Sequence, residues 1–350
     1  MKHLVFLFLL QILINPLFAQ STDFTKLYHP QINQAELALI KSDYSAALKH
    51  YQTAFANVEK GFASDYHNAI TCMLKLKKTK SPKLYDYIEM LIKKGVNYSY
   101  FETDLYNSIR NNKRWDWLFK KYEFTAGRCL TFINIELYNE LRNFAKKDQK
   151  FRIKEGSYEV HGDTIYKIDS ILMERFKTIV QEYGYPSEDI IGIEYPEENR
   201  IPYSIVMHHY FQRRSNKEWK YLTDMSPMII SAIKKGALKP QKGSYWIALQ
   251  NGDFHLGSLT LTKFQSDDQL LDGLYVEKIS IDKLKEINQN RLSIGVPLLQ
   301  DFYRKAIFLQ NNKETAYLLS QRGGIDTWHG DAAFINEILP YFSRLDIENN

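Results

Sequence analysis

Between residues 24 and 125 apolar positions recur every three or four residues, the period of helices with one buried face. In "INQAELALIKSDYSAALKHYQTAFAN" (32–57), Ala35 and Ala38 allow close approach on a first helix. "SDY" makes a turn, and Ala47, Tyr51 and Ala54 return at helical spacing on a second. Small residues on facing helices with one aromatic between them suit a tight antiparallel pair. A second pair is expected from "DYHNAITCMLKLKK" and "KLYDYIEMLIKKG", with Gly95 as C-cap. Beyond residue 130 the pattern is mixed. "TFINIELYNELRNFAKKDQKFRIKEG" is amphipathic, "SYEVHGDTIYKID" alternates about His-Gly-Asp, and "YWIALQNGDFHLGSLTLTKF" offers two short strands about Asn251-Gly252. Hairpins are therefore expected near 157–168 and 244–263. The loop "QRGGIDTWHGD" should separate two further helical stretches, "RKAIFLQNNKETAYLLS" and "AAFINEILPYFSRL".

The resulting expectation is a mainly α chain of three parts: a leader (1–20), a helical repeat domain (21–127) and an α-rich α+β domain with small hairpins (128–350). The leader, "MKHLVFLFLLQILINPLFAQ", has Lys2 and His3, an apolar core and the small residue Ala19, as a secretory signal peptide does. Its apolar run is too short and too broken for a comfortable span, so the mature chain is expected to be exported, periplasmic or secreted, without stable membrane insertion.

The helical pair resembles a tetratricopeptide repeat, whose small, aromatic and small positions match Ala47, Tyr51 and Ala54; Gln31 stands where that repeat has a large aromatic. "YFETDLYNSIRNNKRWDWLFKKYE" resembles the segment that closes such arrays, through Asp104, Leu105, Trp115 and Leu118. The likeness implies a concave face that binds a protein or peptide partner. Downstream, "DQKFR" (Asp148, Gln149, Arg152), "RFKTIVQEYGYPSEDIIG" (Gly184, Pro186, Gly192), "MHHYF", "FHLGS" (Gly257) and "NQNRLSIGVPLLQDFY" (Asn290, Arg291, Gly295, Pro297) together resemble a bacterial domain of unknown function, family number 6624, over 148–303. That family has Gln-His where this chain has His208-His209. It also has Tyr-Gly-Thr then Gln where this chain has Leu256-Gly257-Ser258 then Leu259. The likeness implies an envelope or exported setting and no defined activity.

Candidate chemistry centres on the histidine pair. Adjacent helical residues diverge by about 100°, so His208 and His209 cannot chelate one ion together. Around Tyr203, Val206, Met207 and Tyr210 form an apolar stripe, with the two histidines on opposite flanks and Gln212 between them. His209, whose flank also carries Pro202 and Arg213, is the one expected to meet the helix of Asp148 and Arg152, which are spaced for an i,i+4 ion pair. Candidate catalytic residues are thus His208, His209, Asp148 and Arg152. Candidate ligand-binding residues are Gln149, Gln212 and His255. Each also has an ordinary structural explanation, and Asp326, His329 and Asp331 read as a surface turn. Metal and cofactor motifs, Gly-x-Ser-x-Gly and Cys-x-x-Cys are missing from the sequence. The formal charge of +5 over 350 residues does not argue for a nucleic-acid partner. Cys72 and Cys129 make no disulfide framework and are expected to be free and buried. Two classes of function stay open: a protein- or peptide-binding module, and a hydrolase or ligand-binding enzyme using His208 or His209 with Asp148 and Arg152.

Overall fold

A short helix α1 (Phe24–Leu27), capped by the Asp23 carboxylate on the Thr25 amide at 3.0 Å, leads into α2 (His29–Ile40) and α3 (Tyr44–Ala56). Asp43 caps α3 through the Ala46 amide at 2.9 Å. Ala35, Ala47, Tyr51 and Ala54 are fully buried, so the small side chains let the two backbones close on one tyrosine. The computed structural model describes residues 22–196, 201–215, 222–252, 261–266, 269–271, 273–313, 315–320 and 325–345; the expected leader lies outside them. A second pair, α4 (Ala63–Lys75) and α5 (Pro82–Lys93), stacks on the first. α6 (Tyr98–Phe101), a 3-10 turn at Asp104–Tyr106 and α7 (Lys113–Lys121) complete this helical unit, with Phe101, Tyr106, Trp115 and Leu118 packed in its core.

The next unit is a helical bundle: α8 (Ile135–Arg152), α9 (Ser157–Tyr183), α10 (Glu188–Ile191), α11 (Ser204–Ser215), α12 (Ser226–Lys234) and α13 (Pro240–Asn251). Its core is built on Leu141, Phe144, Met173, Phe176, Met207, Phe211 and Trp246. The last unit has strands β1 (Leu261–Ser266), β2 (Gln269–Leu270) and β3 (Leu274–Glu277). Helices α14 (Ile281–Ser293) and α15 (Leu299–Asn311) follow, then β4 (Ile325–Gly330), α16 (Ala332–Ile338) and β5 (Phe342–Leu345). β1 lies at the centre of a small mixed sheet, antiparallel to β2 and β3 and parallel to β4, while β3 pairs with β5. Leu261, Val276, Ile287, Leu299 and Phe302 form a third apolar cluster among the described residues.

The chain is mainly helical with a small sheet, as its periodicity implies, but both hairpin positions need correction. Residues 157–168 lie inside α9, whose buried side chains Ile165, Asp169, Leu172, Met173, Phe176 and Ile179 follow the helical period; Tyr158 and Val160, which suggested alternation, are exposed. Residues 244–251 belong to α13. Gly252, at φ +71°, ends that helix in the left-handed conformation that an Asn-Gly hairpin turn would also have required. The loop expected at 321–331 contains β4, and the last helical stretch breaks at Pro340 to become β5. Cys72 and Cys129 are both free and buried, although Cys129 follows a turn instead of sitting in a helix. Among the described residues no helix is long and apolar enough to cross a membrane.

Candidate functional site

Three polar arrangements stand out. The first fills the space between α8, α9 and α11. His209 lies 3.0 Å from both oxygens of the Asp148 carboxylate through Nδ1, which must therefore carry the proton. Arg152 pairs with Asp148 at 2.9 Å and with Asp169 at 2.8 Å, and its Nε donates to the Tyr158 hydroxyl at 2.9 Å. Arg213 stands 3.6 Å from Asp169, donates to the Tyr166 carbonyl at 3.0 Å and to the Ser170 hydroxyl at 3.2 Å. Both carboxylates are almost wholly buried. Burial works against the Arg152 charge, but Asp169, Tyr158 and Asp148 outweigh it and hold its pKa above the usual value. The Gln149 amide donates to Asp148 at 2.7 Å. Two anions and two guanidiniums thus balance across three helices, and Arg152 is engaged with side chains of its own protein.

His208 points elsewhere, into a cleft. Its Nδ1 is 3.1 Å from the Tyr245 hydroxyl and the two rings are parallel within 5°. The outer chamber of this cleft, about 1460 Å³ of space partly open to solvent, is lined by Arg142, Lys146, His208, Lys242, Tyr245 and Trp246. An inner chamber of about 730 Å³, lined by Phe62, Ile191, Ile193 and Leu238 among others, shares Tyr138, Glu194, Ile201, Pro202 and Lys242 with it. Burial lowers the pKa of His208, helped by His209 and Lys242, and burial alone lowers that of Lys242. Gln212 is exposed on α11 and lines neither chamber. His255 lies outside the described residues.

The third arrangement was not anticipated. The segment 315–320, between α15 and β4, crosses the N-terminal helical unit without regular secondary structure. The Asn68 carboxamide brackets one residue of it, donating to the Leu318 carbonyl at 3.0 Å and accepting from the Leu318 amide at 2.8 Å. His67 Nε2 donates to the Ala316 carbonyl at 2.6 Å, and its Nδ1 therefore accepts from the Tyr100 hydroxyl. Burial pulls the His67 pKa down to about 4, partly offset by the Ala316 carbonyl, so the ring is neutral. Glu36 accepts from the Ser320 amide and hydroxyl, each at 2.6 Å, and from Lys305 on α15 at 2.7 Å, with both charged side chains fully buried. Leu319 drops into the repeat core, and Tyr317 donates to the Tyr44 hydroxyl at 2.9 Å.

Comparison of the chain with family models, with curated proteins and with solved structures finds no match. Of the segments that carried the second resemblance, "FHLGS" lies outside the described residues, and the others have definite structural work. Gly184, at φ +80°, ends α9, and the Pro186 carbonyl accepts from Tyr203 at 2.9 Å. Gly192 turns at φ +72° where a Cβ would strike Ile133. Glu188 and Asp189, just after Pro186, clamp Lys94 of the repeat at 3.5 and 2.7 Å. Arg291, fully buried, donates to the Pro297 carbonyl at 2.9 Å across the turn joining α14 and α15. His329 is exposed, and Asp331 caps α16 through the Phe334 amide at 2.8 Å. No cluster of three potential metal ligands occurs among the described residues.

The Asp148–Arg152 pair and its meeting with His209 follow from spacing, but the partners of the third arrangement do not. Asn68, Glu36 and His67 act on backbone groups, which leave no mark in the partner segment. Asp169 was hidden by reading its surroundings as a hairpin.

Proposed function

We propose that this is an exported peptide-binding protein whose tetratricopeptide-like repeat recognises extended chain. The observation that carries the reading is the two-way hydrogen bond between the Asn68 carboxamide and the backbone of Leu318. One planar amide that satisfies both the N–H and the C=O of one residue fixes an extended backbone while leaving side-chain identity to neighbouring pockets. Glu36 and His67 extend the same readout to Ser320 and Ala316, and the buried Leu319 supplies the apolar anchor. The segment of the chain itself is then the resident ligand, and a partner peptide carries an equivalent leucine in extended conformation. The leader-like stretch at 1–20 and the envelope setting implied by the family-like motifs support an activity outside the cytoplasm.

The test is anisotropy of a labelled Thr-Ala-Tyr-Leu-Leu-Ser peptide on the mature chain carrying Leu319→Ala, which loosens the resident segment. Saturable binding that is lost on adding Asn68→Ala supports the reading. No binding to a Leu319→Ala protein that still melts cooperatively refutes it.

One observation favours the enzymatic alternative: His209 has its Nδ1 fixed by a buried carboxylate, the arrangement that leaves Nε2 as a base. Against it, His208 and His209 serve different surroundings and Arg152 is committed to Asp148 and Asp169. The peptide-binding reading therefore has the stronger support.

A further inference from the structure

The cleft between α8, α11 and α13 has a charge imbalance that the fold does not use. Glu188 and Glu194 line the inner chamber, but each has its own cation or donor. Glu188 lies 3.5 Å from Lys94 and 3.9 Å from Lys239, and Glu194 lies 3.5 Å from Arg128 while accepting from the Tyr138 hydroxyl at 2.7 Å. Lys242 differs. It stands on the wall common to both chambers, half-buried, with its ammonium 5.3 Å from the Trp246 ring and 5.9 Å from the Tyr245 ring, and no carboxylate pairs with it among the described residues. Arg142, Lys146 and His208 add positive or protonatable groups to the outer chamber alone. A partly desolvated ammonium without a counterion destabilises a fold, and its retention at the mouth of a cavity is the pattern of a site awaiting an anion.

The inner chamber asks for something different. Its walls include Phe62, Ile191, Ile193 and Leu238, all buried and apolar, the kind of lining against which a hydrocarbon replaces water. Lys242 sits where the two environments meet.

We propose that this cleft binds an amphiphilic carboxylate, with the anionic head held by Lys242 beside His208 and Tyr245 and an alkyl chain in the inner chamber. The site is separate from the peptide-binding face and does not depend on it. A planar carboxylate accepts from the Lys242 ammonium, and a hydrocarbon chain replaces water against the isoleucines and Phe62.

Isothermal titration of the mature chain with decanoate, below its micelle concentration, tests the proposal beside decanol and inorganic phosphate. Decanoate should bind at least about tenfold more tightly than decanol, the gain expected from one charge-assisted hydrogen bond, and about tenfold more tightly than phosphate, which lacks the chain. Lys242→Met should lose that advantage while melting at the same temperature or higher, because it removes an unpaired charge and no ion pair. Lys242→Arg should retain most of it. Equal affinity for decanoate and decanol overturns the role of the head, equal affinity for decanoate and phosphate overturns the role of the chain, and unchanged decanoate binding by Lys242→Met overturns the assignment of the site.

Discussion

Two buried networks use the same residue types for opposite ends. Between α8, α9 and α11, Asp148, Arg152, Asp169, His209 and Arg213 bond largely to one another, side chain to side chain. Across the repeat, Glu36, His67 and Asn68 bond to the backbone of the segment 315–320. The first arrangement accepts one set of partners only and so fixes how three helices sit. The second addresses backbone groups, which every chain carries, and this is what the proposed peptide-binding reading rests on. Buried polarity thus locks one unit and, on the proposed reading, would serve as a reader in the other, and the identity of the acceptors decides which.

The largest effect should follow from breaking the lock. Asp169→Ala takes the shared carboxylate away from the buried Arg152 and Arg213 and should cost about 3–5 kcal/mol, read from urea unfolding. A loss under about 1 kcal/mol would mean that the network is not desolvated in solution. In the reader, Asn68→Ala orphans the amide and carbonyl of Leu318 at about 1–3 kcal/mol for each group left unsatisfied. Hydrogen exchange separates the two cases: Asn68→Ala should speed exchange at Leu318 without altering α8, whereas Asp169→Ala should loosen α8 and α11 together.

Acid should distinguish the networks next. Burial lowers His67 to about 4 and His29 to about 3, against about 6.5 for an exposed histidine. Their neutral forms stabilise the fold fully above about pH 6.5, and that contribution is lost as pH falls toward about 4. Asp65, raised to about 7 chiefly by burial, acts in the opposite sense, favouring the fold at the acid end of the same window. His67→Gln should therefore flatten the fall in stability between pH 7 and pH 5 by about 1–3 kcal/mol, and Asp65→Asn should steepen it. Parallel curves for all three proteins would contradict the burial of these groups.

The smallest effects concern the histidine pair. His209→Gln keeps a donor near Asp148 and should cost about 1 kcal/mol, while His208→Gln at the edge of the cleft should cost less. If His209→Gln melts normally but abolishes a measurable activity, the enzymatic reading gains over the peptide-binding one.

Local chemistry was the part of this architecture legible in the sequence. Ala47, Tyr51 and Ala54 announce a close helix contact because their spacing and sizes leave few other packings, and Asp148 and Arg152 are four apart on one helix. The divergence of His208 and His209 follows from helix geometry alone. The errors arose where one residue type serves two conformations. Gly252 adopts a positive φ that suits a helix end as well as a hairpin turn, and Gly162 lies mid-helix where His-Gly-Asp suggested a bend. What was illegible is long-range. Glu36 and Lys305 are 269 residues apart, and no local pattern marks either as half of a pair. Nor does anything in "TAYLLS" announce that its backbone is what the repeat holds.

The parallel alignment of β4 on β1 has a consequence for competition. The segment 315–320 is anchored upstream by α15, through Lys305 on Glu36, and leads downstream to a strand held by six residue pairs from Leu261–Ile325 to Ser266–Gly330. A ligand tied at both ends rebinds as a neighbour instead of as a solute, at an effective concentration on the order of millimolar. A peptide in solution must exceed that local supply or bind more tightly than the native segment to displace it. A single nick at the exposed Lys313 would remove the upstream tether and lower the threshold, leaving the segment leashed by its downstream strand alone.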